Sequence, residues 1–192
     1  MYEVISFWCA YVIAGYFLDD STNEKNTYHL YKTLFINALI SHMLIPITDR
    51  IPILIELPDG IIGYVVRVIL ALLIGDLWLY LSHRLLHAYL YQFHKQHHIY
   101  SKPHALTGLY AHPVEYVLSN HLSMMIPLKI IGRQELIWVE TMVVAIDILI
   151  SHMGRDTNYP SAKYHTLHHE RHNCNYSFAY VSDMLFGTYE AE

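Results

Sequence analysis

Eight histidines fall into three short groups: His83 with His87, His94 with His97 and His98, and His165 with His168 and His169. The spacing within each group is i, i+3 or i+4. On a helix such positions share one face, with Cβ atoms about 5–6 Å apart. Neutral imidazole is the commonest nitrogen donor to transition metals. The chain has 15 histidines in 192 residues, so these groups hold more than half of them. Three segments each present a ligand face, which is more than one tetrahedral ion can use. The pattern predicts a pair of metal ions. A zinc-storage tract would be contiguous and low in complexity, whereas long apolar stretches separate these groups.

Other polar residues could complete two coordination spheres. His152 ends an apolar stretch in Ser151-His152-Met153-Gly154-Arg155-Asp156. His112 opens the run His112-Pro113-Val114-Glu115-Tyr116, and His172 follows His169 and His168 at helical spacing. Asp76 and Tyr80 precede His83 on the same helical face. A carboxylate there could orient an imidazole, or it could pair with Arg84 or Arg67 inside a bundle. His112, His172 and Asp76 are therefore further candidates, as ligands or as partners of ligands. His29, His42 and His121 have no clustered partner and are left outside the site, and His104 reads as a loop residue after Pro103.

The elements that carry these residues are apolar. The chain is 54% hydrophobic and 15% charged, with a mean hydropathy of +0.23. Hydrophobic segments run over 4–18, 30–47, 61–81, 115–131 and 136–150, and 61–81 is the strongest although Arg67 and Asp76 interrupt it. A full span needs about 20 residues, so the first is short. It lacks a basic start and a small-residue cleavage site, and reads as a retained anchor rather than a signal peptide. The expected fold is all-α: an integral membrane bundle of about four to five hydrophobic segments under a cytosolic, histidine-rich di-metal cap. Residues 1–60 would be anchor helices and 61–192 the catalytic domain.

Parity supports that arrangement. If 61–81 crosses once, the first two histidine groups emerge on one side, and the last two segments form a hairpin that returns the third group there. Arg84, Lys95, Lys102, Lys163 and Arg171 lie on this side, which the positive-inside rule makes cytosolic. The Met124–Met125 pair could line a lipid path, with ordinary helix packing as the plainer reading. A net charge of −5 gives no reason to expect nucleic-acid binding, and Cys9 and Cys174 are too few for a disulfide framework.

The three boxes together, H-x-x-x-H and two H-x-x-H-H, resemble the fatty acid hydroxylase/sterol desaturase superfamily of membrane-bound, non-haem di-iron oxygenases. The resemblance runs from about Asp76 to Tyr189. The run 110–115, Tyr-Ala-His-Pro-Val-Glu, and the run 151–156 are similar to segments of 4-methylsterol monooxygenases. Asn173-Cys174-Asn175-Tyr176 looks more like cholesterol 25-hydroxylase, and 183–189 resembles the family's closing W-D-x-x-F-G-T element, with Ser182 in place of Trp.

Carried over by position, the resemblance implies that His83, His87, His94, His97, His98, His165, His168 and His169 are metal ligands, with His152 as a further one. It implies two iron ions, replaceable by zinc in recombinant protein, an endoplasmic-reticulum location and a lipid substrate, with a sterol favoured. No haem-attachment motif or Rossmann fingerprint occurs in the sequence. Electrons must then come from separate partners, which in this family are cytochrome b5 and its NAD(P)H-dependent reductase. The alternatives are a fatty-acid or sphingolipid hydroxylase, a sterol desaturase, an aldehyde decarbonylase, or a catalytically silent zinc-binding membrane protein.

Overall fold

The computed structural model describes residues 2–18, 27–132, 137–154 and 158–191. All regular structure among them is helical: α1 (Tyr2–Leu18), α2 (Thr27–Thr48), α3 (Ile61–Tyr89), α4 (Tyr91–His94), α5 (Pro113–Glu115), α6 (Leu122–Ile131), α7 (Ile137–Ser151), α8 (Pro160–Arg171) and α9 (Val181–Phe186). Short 3-10 turns cover His97–Ile99 and Ala105–Leu109.

Two helices, over Tyr28–Thr48 and Ile61–Tyr89, are long and apolar enough to cross a membrane. Large apolar side chains project outward along both, including Phe35, Leu39 and Met43 on α2 and Ile62, Ile69 and Leu73 on α3. Outward apolar faces of this kind belong in lipid, and the molecule is an all-helical membrane bundle with a histidine-rich cap. The apolar helices over Ile5–Leu18 and Met142–Ser151 are shorter.

α3 continues eight residues past the expected end at Leu81. Its 29 residues reach about 43 Å at 1.5 Å each, against a hydrocarbon core of about 30 Å. One helix is therefore long enough both to span and to carry His83 and His87 beyond the span. α3 packs on α6 through small residues. Gly75 is one: a Cβ there would lie 2.9 Å from the Ser123 carbonyl oxygen. Ser82 and Ser119 meet hydroxyl to hydroxyl at 3.1 Å.

The stretch 115–131 is not one straight helix. A single π-helical turn, Tyr116–His121, separates α5 from α6. The extra residue in such a turn re-aims the side chains around it. Pro46 lies inside α2. Gly132 ends α6 in the left-handed conformation (φ 73°) that glycine adopts without strain. Arg133 at the hairpin tip, with Arg155 and Asp156 after α7, lies outside the described residues.

α1 and α2 brace the segment that follows the second histidine group. The Tyr11 hydroxyl contacts the carbonyls of Ala105 and Leu106 and accepts the Leu109 N–H at 3.2 Å. Asn37 donates to the carbonyls of Leu109 and Ala111 at 3.3 and 3.0 Å. Phe7, Trp8, Leu34, Leu106, Leu109, Ala145 and Leu149 close one core around these bonds. Met124 packs against this core and Met125 against Leu128, so both act in helix packing. Cys9 is exposed on α1, and Cys174 is buried.

Candidate metal centre

The structure gathers nine histidines into two adjoining groups. His83, His87, His94, His98 and His168 form one, and His97, His152, His165 and His169 the other. Within each group the candidate ligand atoms lie within 4.8 Å of one another. The groups touch: the rings of His98 and His169 are 4.6 Å apart, and those of His94 and His97 5.5 Å. α3 supplies two of these residues, α4 and the turn after it three, α7's end one, and α8 three.

Backbone and carboxylate acceptors orient the rings. His83 Nδ1 lies 2.7 Å from the Tyr176 carbonyl, His168 Nδ1 2.7 Å from that of Cys174, and His169 Nδ1 3.1 Å from that of Tyr100. His152 Nδ1 lies 2.8 Å from the Ile148 carbonyl. His94 Nδ1 lies 2.8 Å from Glu115 Oε1. Each Nδ1 must carry the proton to donate, which leaves Nε2 as a bare lone pair.

Those bare nitrogens converge. His83 Nε2 and His94 Nε2 are 3.1 Å apart, and neither has a proton to share. The remaining Nε2 pairs, His94–His87, His98–His94, His98–His87, His87–His168, His165–His152 and His169–His165, lie 2.9–3.3 Å apart. Lone pairs this close repel unless a cation lies among them. A metal–nitrogen bond of about 2.0–2.1 Å puts neighbouring ligand nitrogens roughly 2.9–3.4 Å apart. The donor set fits two imidazole-bound metal ions.

Electrostatics agree. Burial is the largest cause holding His94, His97, His98, His165, His168 and His169 below the ordinary imidazole range, and neighbouring histidines add to it. Burial likewise lowers His152, to about 4, partly offset by its bond to Ile148. These rings are neutral at pH 7, the form a metal requires.

Sequence reasoning left Glu115 out of the site. It is 3% exposed and holds His94. The signal available was a single carboxylate opening an apolar stretch. Tyr176 and Cys174 act through backbone carbonyls, which residue type cannot reveal. His172, in the left-handed conformation (φ 66°), ends α8 and turns the chain so that these carbonyls reach back.

Three further candidates fall outside the two groups. His172 Nε2 bonds the His169 carbonyl at 3.0 Å, although its ring lies 4.4 Å from that of His98. The ring of His112 accepts the Val114 N–H and caps α5. Asp76 neither orients an imidazole nor pairs with Arg84 or Arg67. It is fully buried and accepts the N–H groups of Ala179 and Ser182, both at 2.8 Å. One loop amide and one amide of the first turn of α9 satisfy it, because a buried carboxylate needs donors and these lie within reach. His29 and His42 are exposed, and His121 is buried apart from both groups.

A cavity of about 60 Å³ opens onto His83, His97, His152 and His165. Gly108, Ser119, Asn120, Asp147 and the stretch Tyr176–Phe178 also line it. Among the described residues, neither the Asp147 carboxylate nor the Asn120 side-chain amide has a hydrogen-bond partner.

A model of the fatty acid hydroxylase family matches residues 68–188. The chain is 37% identical over 120 residues to fatty acid hydroxylase domain-containing protein 2 of Macaca fascicularis, covering 60% of this chain and 36% of that protein. It is 30% identical over 130 residues to a C-4 methylsterol oxidase of Schizosaccharomyces pombe, with 59% and 43% covered. It is also 30% identical over 137 residues to a very-long-chain aldehyde decarbonylase of Oryza sativa, with 64% and 51% covered. The chain spans about a third to a half of the length of these curated relatives. No solved structure matches it.

Proposed function

The chain belongs to the fatty acid hydroxylase family, and we propose that it is a membrane-bound di-iron oxygenase that oxidises an unactivated C–H bond of a lipid with O2. The observation that carries this reading is the pair of adjoining histidine groups with converging Nε2 atoms. His83, His87, His94, His98 and His168 would hold one iron, and His97, His152, His165 and His169 the other. Two bound irons supply the redox chemistry that zinc lacks.

The chain's own part is to position groups and exclude water. Glu115 and the carbonyls of Tyr100, Ile148, Cys174 and Tyr176 fix the ring orientations. The cavity admits a reacting end, not a whole lipid. Asp147 and Asn120 offer polar partners for a hydroxyl near the oxidised carbon. That pair favours a hydroxylated lipid such as a 4-methylsterol, as does the likeness to a C-4 methylsterol oxidase. We assign electron supply to cytochrome b5 and its reductase, and the site to the cytosolic face of the endoplasmic reticulum. Exposed Arg84, Lys95 and Lys102 near the histidines support that sidedness.

The test is reconstitution of the full chain with ferrous iron, cytochrome b5 and its reductase. It would be offered 4-methylsterols, cholesterol and fatty acyl lipids under O2. Two irons per chain and an oxygenated sterol are expected. Tight zinc, no iron exchange and no product would overturn the oxygenase in favour of a structural metal protein. The likeness to an aldehyde decarbonylase favours a second reading, in which a long-chain aldehyde yields a product shorter by one carbon.

A further inference from the structure

Helix α9 is built inside out. Its polar residues face the protein: Ser182 and Asp183 are 4% and 0% exposed. The Asp183 carboxylate accepts the N–H groups of Tyr176 and Ser177 and the hydroxyls of Ser177 and Thr188. Its apolar residues point outward, with Val181, Met184, Leu185 and Phe186 at 45%, 61%, 74% and 48% exposure. A helix facing water shows the reverse pattern. A contiguous outward apolar patch marks an interaction face.

Its position in the bundle identifies what covers that face. Phe186 stacks on Tyr80 of α3 with ring centroids 4.9 Å apart. Counted from Ile61, a hydrocarbon core of about 30 Å is crossed in about 20 residues, which ends the span at Tyr80–Leu81. Arg84 lies one turn further, is exposed and donates to the Tyr80 hydroxyl at 2.7 Å. That is where a cation anchors a helix at a membrane interface. Tyr80 also flanks the outward stripe Leu73, Leu77, Leu81 and Leu85, spaced one turn apart along α3. The apolar face of α9 thus continues the lipid-facing stripe of a spanning helix at the edge of the hydrocarbon.

We propose that α9 is an interfacial helix, with Met184, Leu185 and Phe186 seated at the boundary of lipid headgroups and acyl chains. Its occupant is the bilayer, on the leaflet nearer the histidines. Tyr176, Ser177, Phe178 and Tyr180, which help to wall the cavity at the histidine groups, lie just before α9. An α9 seated in the bilayer would hold that wall at the membrane interface.

Site-directed fluorescence tests this on the full chain in phosphatidylcholine nanodiscs. Cys9 is replaced by Ser, while buried Cys174 is left in place. Leu185→Cys carries an environment-sensitive label, with Leu73→Cys and Lys102→Cys as hydrocarbon and water references. Nitroxide lipids labelled near the headgroup should quench position 185 several-fold more than position 102, and aqueous iodide should quench it several-fold less. Iodide quenching equal to that at 102, without lipid quenching, overturns the proposal. Shielding from both quenchers, with dimers trapped by a short bis-thiol reagent, also overturns it and gives the face to a second copy. Met184→Cys repeats the measurement, and circular dichroism confirms that each labelled chain keeps its helices.

Discussion

A single imidazole decides whether a metal stays. His168, of the first group, lies fully buried with its Nδ1 on the Cys174 carbonyl, and His97, of the second, is 6% exposed. His168→Ala or His97→Ala should abolish turnover and lower metal content by about one ion per chain, while far-ultraviolet circular dichroism changes little. His29, exposed on α2, is the control, and His29→Ala should leave activity and metal unchanged. Glu115→Gln keeps the volume but replaces the carboxyl group that His94 Nδ1 meets at 2.8 Å. Loss of such a partner typically costs about 10–100-fold in metal affinity or activity, and a competition titration with a chromogenic chelator would measure it. At Asp147 the expected effect falls on the substrate: Asp147→Leu should raise KM for a hydroxylated sterol more than it lowers kcat. An unchanged KM would remove Asp147 from recognition.

At the scale of elements, close approach matters more than residue chemistry. Gly108 lies in the 3-10 turn Ala105–Leu109, held by Tyr11 and Asn37 from α1 and α2. A Cβ there would meet Ile148 Cγ2 at 2.4 Å and His152 Nδ1 at 2.9 Å, so side chain and ligand must both shift. Gly108→Ala should destabilise the fold by about 1–3 kcal/mol, as overpacking typically does, and should displace His152. A lowered melting temperature with reduced metal content would establish this; a wild-type profile would mean that α7 can slide. The hydrophobic pattern made the main helices legible, because lipid demands long apolar runs whatever the tertiary contacts. It did not disclose the π-helical turn at Tyr116–His121, since one extra residue in a helix leaves no mark on composition.

The whole molecule couples metal retention to pH. Buried imidazoles such as His152, lowered to about 4 from the ordinary 6.5, bind protons more weakly in the folded protein than in the unfolded chain. The unfolded chain therefore gains protons first as pH falls. The resulting stability is complete above about 6.5 and is lost as pH drops from there toward about 4. Protons also compete with metal for the same lone pairs. Thermal melts of metal-free and metal-loaded chain between pH 7.5 and roughly 5 should both fall on acidification, the loaded form more steeply. A flat profile would mean that the rings are solvated and the cage is open.

Residue type and local spacing determined the helical membrane class and eight of the nine histidines that the fold brings together; His152 is singled out only by the family resemblance. Imidazole chemistry and helical periodicity both act over a few residues and are written locally. Tertiary structure alone decided how those histidines divide into groups of five and four, because His97 and its neighbour His98 point into different groups. It also gave Glu115 to His94, turned Asp76 toward the loop before α9, and set His112 and His172 aside as caps. Those outcomes depend on which buried donors and acceptors meet when distant helices pack, and a buried polar group takes whatever partner the packing leaves within reach.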